Sequence, residues 1–248
     1  MWHRNFDVVN HLLDTKTHYL IPELIFPVNV DFTNDISSAI QSSEIIVLAL
    51  PSQSIRDVIT KNKSSFNKNH IIVNVSKGIE IDTLMTVSEM INDVLDGQHK
   101  SVVTLSGPSH AEEVISGHPT TLVAASKDVQ SAEIIQNLFA TEKLRTYLNR
   151  DIRGVELGGS MKNVIAIAAG ICDGIGYGDN SKAALMTRGM MEITRLGEAM
   201  GARVETFRGL SGYGDLIVTC LSKHSRNRQL GQLIGEVRVR HLKILPQI

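Results

Sequence analysis

A chain of 248 residues with 42% hydrophobic side chains is long enough for one large domain or two smaller ones around a sizeable core. Its charges nearly cancel, at a formal −1, which argues against a nucleic-acid partner and against an acidic solvating tail. Residues 1–7 lack the apolar core of a signal peptide, and the uncharged run from Val164 to Cys172 is too short to span a bilayer, so the expectation is a soluble, cytoplasmic chain that needs no membrane.

Taken in order, the first part carries short β-branched runs. Val28 to Thr33 is a weak strand candidate. Ile45 to Leu50, Ile71 to Ser76, Val102 to Ser106 and Thr120 to Ala125 are stronger. Their apolar residues are continuous rather than alternating, which suits strands covered on both faces, as in a parallel sheet. Helical patterns lie between them: Ser52 to Lys63 behind Pro51, Thr83 to Leu95 and Asp128 to Phe139. Strand and helix in alternation predict an α/β sheet with helical crossovers.

The composition changes near Asn149. Beyond it almost no strand signal occurs until the last dozen residues. Arg153 to Ile171 reads as a long apolar helix, and Ser181 to Met200 as an amphipathic one stopped by Gly201. Asp215 to Leu221 and Asn227 to Ile234 read as two more. The triplet Gly174, Gly176 and Gly178 follows a helix rather than a strand, so it reads as a helix end and turn. The expected division is therefore 1–149 for the sheet and 150–248 for an all-α part. Cys172 and Cys220 stand in apolar surroundings without metal-ligand spacing and read as buried free thiols. No His/Cys metal motif, no nucleotide-triphosphate loop and no G-x-G-x-x-G is present.

Several residues carry chemistry. Lys162 stands in a helix that is apolar on all sides, where desolvation lowers an amine toward neutrality and lets it exchange a proton with an alcohol. A lysine snorkelling from a half-buried helix fits the same local pattern. Gly158, Gly159 and Ser160 beside it leave room for another chain or a ligand. Ser225-Arg226-Asn227-Arg228 precedes a helix, and unpaired backbone N–H groups plus an arginine fork make an anion site. An ordinary capped helix with solvated arginines would look alike. Asp215, behind Gly212-Tyr213-Gly214, is either an acceptor for a hydroxyl or a plain N-cap. Ser76-Lys77-Gly78 and Ser106-Gly107-Pro108-Ser109 end two predicted strands, where open α/β sheets bind ligands, although polar turns of this kind are common.

Together and in this order, these motifs resemble the bacterial NAD(P)-dependent glycerol-3-phosphate dehydrogenases. The resemblance covers about Met1 to Ile234. It also takes in Pro51-Ser52-Gln53, the run Gly154-Val155-Glu156-Leu157-Gly158-Gly159, the run from Met161 to Gly170, Thr187-Arg188-Gly189 and Gly214-Asp215-Leu216. It implies a Rossmann-like sheet domain followed by a helical substrate domain. It also implies NAD or NADP as cofactor, and interconversion of dihydroxyacetone phosphate and glycerol 3-phosphate for phospholipid synthesis. By resemblance, Lys162 is the general base. Lys77, Gly107, Ser109, Asp215, Ser225, Arg226 and Asn227 contact the substrate. Arg4, Lys77, Ala111 and Arg226 contact the cofactor, Arg4 beside the adenosine ribose. The only partner implied is the small-molecule substrate, with a homodimer as a compatible assembly.

Two departures from the family pattern set further expectations. Family members place a strand, a Gly-rich loop and a helix ahead of the point matching Met1, so the Rossmann-like domain is expected to be incomplete. In the order 3-2-1-4-5-6 the fourth strand, here Ile45 to Leu50, would then expose an edge. The segment Glu236 to Ile248 finds no match in the family. The alternatives that follow are a silent remnant of the same enzyme and a β-hydroxyacid-type dehydrogenase. Ser-Arg-Asn-Arg with Gly-Asp-Leu argues against the latter.

Overall fold

The computed structural model describes the backbone of residues 1–244 and the side chains of 1–237; Leu245 to Ile248, the end of the unmatched segment, lie outside the described residues. In chain order the elements are α1 (Phe6–Thr15), β1 (Thr17–His18), β2 (Ile21–Ile25), α2 (Ile36–Gln41), β3 (Ile45–Leu48), α3 (Ser52–Lys61), β4 (Ile71–Asn74), α4 (Val87–Leu95), β5 (Ser101–Ser106), α5 (Ala111–Ile115), β6 (Thr120–Ala125), α6 (Val129–Phe139), β7 (Leu144–Asn149), α7 (Ile152–Ile175), α8 (Asp179–Ala199), α9 (Val204–Phe207), α10 (Asp215–Leu221) and α11 (Arg226–Ile244).

The continuous apolar runs become the centre of a five-stranded sheet ordered β3-β4-β5-β6-β7. Every residue of β4 and β5 is buried, because helices and loops cover both faces. β3, β4 and β5 pair in parallel, as do β6 and β7. The junction of β5 and β6 is antiparallel, with Thr104 opposite Ala125, so the sheet is mixed where an all-parallel one was expected. The connection there, residues 107–119, holds only the five-residue α5, a helix too short to carry the chain back along β5 as the usual crossover of a parallel pair does. Beyond β7 the described chain is helical to Ile244. Over 237–244 this replaces the strand signal read into the last dozen residues; 245–248 lie outside the described residues.

The segment Val28 to Thr33 is not a strand. Only Thr33 makes a bridge, to Trp2, and Val28 is fully exposed. The short hairpin β1–β2, the edge strand β7 and the helices α1, α2, α5 and α9 were not expected. β7 reads Leu-Arg-Thr-Tyr-Leu-Asn with only Thr146 buried, so it lacks a continuous apolar run. α1 did carry a signal: Asn5 caps it through Asp7 N, and Val9 and Leu12 form its buried side. α4 starts at Val87 rather than Thr83. A reciprocal cap between Thr86 and Glu89 starts it there, and Leu84 before it has φ 58°. Among the described residues β3 is an edge strand, paired with β4 alone. It borders a groove of about 870 Å³ lined by Trp2, His3, Arg4, Leu48, Ala49 and Pro51 among others.

The helical part is built on α7, whose 24 residues are long and apolar enough to cross a membrane by length and composition. Half of that stretch is instead buried inside the protein, against α8, α10 and α11. α7 and α11 pack closely because each offers two glycines four residues apart. A Cβ on Gly170 would stand 2.0 Å from Arg228 O, and one on Gly231 would stand 2.0 Å from Ile167 O. Gly174 and Gly235 make the next contact along the pair. Ridges of small residues let two backbones approach where larger side chains would hold them apart. Gly231→Ala is therefore expected to lower unfolding stability by about 1–3 kcal/mol. Gly178→Ala, whose Cβ would meet nothing within 4 Å, should stay within roughly 0.5 kcal/mol of wild type. Urea unfolding of both variants checks this.

Candidate active site

The site forms where the carboxyl ends of β4 and β5 meet α7 and α10. β4 runs out into Ser76-Lys77-Gly78, and β5 into Gly107-Pro108-Ser109. α10 begins at Asp215, directly after a single π-helical turn, Leu210–Gly214. Such turns recur at functional sites because they rotate the residues that follow out of the regular helical register.

Asp215 is the centre of the arrangement. It is 1% exposed, and its two oxygens take one lysine each. Lys77 Nζ donates to Oδ2 at 2.6 Å, and Lys162 Nζ donates to Oδ1. Lys162 also donates to Thr219 Oγ1 at 2.7 Å, while the Thr219 hydroxyl donates to Asp215 O at 2.6 Å. Lys77 also donates to Gly107 O at 3.3 Å. An ammonium carries three donors. Each lysine therefore keeps one proton free of these contacts. Lys162 is buried, so it does not snorkel to solvent. Burial, then the nearby positive charge of Lys77, pushes its pKa down to about 8, with Asp215 opposing both.

The glycines explain how the elements come so close. A Cβ on Gly158 would meet Ser211 O at 2.7 Å, and one on Gly159 would meet Ser106 Oγ at 2.9 Å with the Lys77 stem just beyond. Gly107 has φ +151° and backs onto Thr121 O, a conformation and an approach that a side chain would oppose. Of the expected substrate contacts, Lys77, Gly107 and Asp215 thus stand directly around Lys162. Ser109 lies two residues beyond Gly107, with its hydroxyl donating to Gly107 O at 3.4 Å.

The Ser225 to Arg228 turn opens α11. Ser225 is buried, and its Oγ accepts from Arg228 N at 3.3 Å, so it is a helix cap. The two arginines separate in role. Arg228 Nε is held by Asp173 Oδ2 at 2.8 Å, and Lys182 pairs with the other oxygen of Asp173. Arg226 is exposed, and among the described residues neither it nor Asn227 has a side-chain hydrogen bond or ion pair. Arg226 is the guanidinium free to take an anion. Ala111 starts α5 on the surface. Arg4 is not part of this cluster. It is exposed in the groove beside β3, which also holds Leu48, Ala49 and Pro51 at that strand's carboxyl end.

Sequence reasoning missed Thr219, one helical turn beyond Asp215 and so on the same face, and Asn74 and Thr104 inside the strands. The expectation of two buried thiols is corrected at Cys172, which is only partly buried because it lies near the exposed end of α7. Cys220 is buried, and burial pushes its thiol up to about 11. Replacing Asp215 by Asn removes the negative charge between the two ammonium groups and turns one of its two acceptor oxygens into an amide donor. Lys162 is then expected to titrate below about 8, and the protein to lose roughly 3–5 kcal/mol of stability. Titration of the lysine Cε resonances and thermal unfolding read the two effects.

Comparison with known proteins follows the same lines. Residues 1–132 match the family model for the N-terminus of NAD-dependent glycerol-3-phosphate dehydrogenase, and residues 151–245 match the model for its C-terminus. The second match runs past Gly235, so it covers most of the segment that had found no counterpart. The glycerol-3-phosphate dehydrogenase [NAD(P)+] of Clostridium perfringens (strain 13 / Type A) is 52% identical over 237 residues, which are 95% of this chain and 71% of that protein. That of Listeria monocytogenes serotype 4b (strain F2365) is 50% identical over 239 residues, 95% of this chain and 70% of that protein. The crystal structure of glycerol-3-phosphate dehydrogenase from Coxiella burnetii superposes with a TM-score of 0.90 at 33% identity, over 100% of this chain and 76% of that one.

Proposed function

Since the chain belongs to the NAD-dependent glycerol-3-phosphate dehydrogenase family, we propose that it interconverts dihydroxyacetone phosphate and glycerol 3-phosphate with NAD or NADP, in the cytoplasm and in support of phospholipid synthesis. The observation that carries this reading is the Lys162–Asp215–Lys77 cluster at the carboxyl ends of β4 and β5; Arg226, at the start of α11, has no ion-pair partner among the described residues. Residues 1–149 serve as the dinucleotide-binding half and 150–248 as the substrate half.

The cofactor must lie across the carboxyl ends of the strands. Three features fit it. The groove at β3 runs past Arg4, Lys77 stands at the end of β4, and the buried Ser106 hydroxyl has no partner. On the resemblance to the family, Arg4 meets the adenosine ribose or its 2′-phosphate, Lys77 touches both cofactor and substrate, and Ala111 and Arg226 are further cofactor contacts. The nicotinamide, when bound, supplies or accepts the hydride at C2 of the substrate.

The protein handles the proton and the phosphate. Lys162, held by Asp215 Oδ1 and Thr219 Oγ1, has one proton left over for a substrate bound at the cluster. There it protonates the ketone oxygen during reduction and takes the proton back during oxidation. Lys77 fixes the same oxygen or its neighbour from the other side, with the backbone of Gly107 and the hydroxyl of Ser109. Arg226, Asn227 and the N–H groups at the start of α11 hold the phosphate. That remote anchor orients the reacting carbon.

The reading is tested by NADPH oxidation with dihydroxyacetone phosphate, with Lys162→Ala as control. Turnover that disappears in the control supports it; no turnover in a folded sample sinks it. Reduction needs protonated Lys162, so its rate is expected to fall as pH rises through about 8, while the reverse reaction rises through the same range. Arg226→Ala should raise KM for dihydroxyacetone phosphate roughly tenfold to a hundredfold, the equivalent of a charge-assisted hydrogen bond of about 1.5–3 kcal/mol. Arg228→Ala should chiefly lower stability, because its guanidinium ties α11 to Asp173.

A further inference from the structure

Glu156 is a buried carboxyl that the proposed chemistry leaves unused. It lies on α7, on the approach to Lys162, and is 5% exposed. It has no cationic partner among the described ion pairs. Instead four hydrogen bonds converge on it. Oε1 accepts from Asn74 Nδ2 at 3.1 Å, from Ser88 N at 3.0 Å and from Thr104 Oγ1 at 2.8 Å, and Oε2 accepts from Ser88 Oγ at 2.6 Å. These donors come from β4, α4 and β5. Asn74 in turn brackets the next turn of chain. Its Oδ1 accepts from Ser76 N at 2.8 Å, and its Nδ2 donates to Ser76 O at 3.2 Å.

The contacts close into a circuit. Glu156 holds Asn74, Asn74 holds Ser76, and Lys77 follows Ser76 in the chain. Lys77 pairs with Asp215, and Asp215 pairs with Lys162 on the helix where the circuit began. We propose that Glu156 is a positioning residue of the site, fixing Asn74 so that the Ser76–Lys77 turn delivers the Lys77 ammonium to Asp215 at the distance the site requires. This rests on the reading of Lys162 as the acid–base group. Satisfied buried networks are rigid, and each member left unpaired costs far more than its contact contributes. A carboxyl suits the place because a single oxygen can accept the three donors that converge there. Burial pushes the Glu156 carboxyl up, and the bonds from Ser88, Thr86 and Thr104 oppose that.

Lys162 reports on the arrangement. It is faced by Lys77 from the turn after β4 and by Asp215, Thr219 and Cys220 from α10. Glu156 is faced by the neutral groups of Asn74, Ser88, Thr86 and Thr104. If the turn is released, the Lys77 charge leaves its place opposite Lys162, and Lys162 binds its proton more tightly.

The experiment labels the full chain with ¹³C at the lysine ε-carbons and follows Lys77 and Lys162 against pH, assigned through Lys→Arg variants, without substrate or cofactor. Wild-type Lys162 is expected to titrate near 8. Glu156→Gln should match it, because the amide oxygen keeps the donors from Asn74, Ser88 and Thr104. Glu156→Ala and Asn74→Ala should raise it by roughly one unit. Should Glu156→Ala fail to fold, Asn74→Ala decides, since it leaves Ser88 and Thr104 bonded to Glu156. A Lys162 titration unchanged in folded Asn74→Ala, even with a lower melting temperature, overturns the inference and leaves the acid–base reading standing. A wild-type Lys162 that titrates as an ordinary lysine overturns both.

Discussion

Asp215 holds two ammonium groups on one buried carboxylate, and it ties together the parts of the chain that carry them. Lys77 arrives on the turn after β4, Lys162 on the long helix α7, and Asp215 itself at the start of α10. Two like charges this close repel, and burial penalises each of them. The carboxylate between them lets the arrangement exist, and the residual penalty falls on Lys162. A lysine held partway to neutrality can both give and take a proton near pH 8. The same electrostatics that bind the sheet to the helical part therefore set the acid–base behaviour.

The proposed phosphate end depends on a different constraint, the close approach of α7 and α11. Paired glycines bring the two backbones into contact. The beginning of α11, with Ser225, Arg226 and Asn227, is thereby fixed relative to the helix that carries Lys162. Asp173 then sorts the two arginines of the turn. It engages Arg228 and Lys182 and so binds α7, α8 and α11 together, while Arg226 is left for an anion. Position along the turn, rather than residue type, separates the paired arginine from the one proposed to bind.

The strong strands and long helices were legible in the sequence because their signals are local. Runs such as Ile71 to Ser76, and the apolar stretch around Lys162, need no knowledge of neighbours to be recognised. β7 escaped because an edge strand covered on one face has no continuous apolar run, and α5 because five residues carry too little periodicity. Val28 to Thr33 has strand-forming residues, yet a strand exists only if another lies beside it. The direction of β6 was equally invisible, since it follows from the short connection through α5 and not from the strand's own residues.

For the site, the sequence alone determined which side chains are available: a lysine in an apolar helix, an aspartate behind a glycine pair, a serine-capped turn with two arginines. Local chemistry sufficed for that, because burial and capping follow from a few neighbouring residues. It left Lys162 open between a proton-transfer group and a snorkelling side chain, and it treated Arg226 and Arg228 alike. Only the tertiary structure excluded snorkelling and told the two arginines apart, by placing Asp215 and Thr219 on the Lys162 amine, Asp173 on Arg228, and Glu156 on the strand that leads to Lys77. Each of these partners is remote in sequence. A pKa, or the freedom of a guanidinium, depends on what stands within a few ångströms in space, which no window along the chain contains.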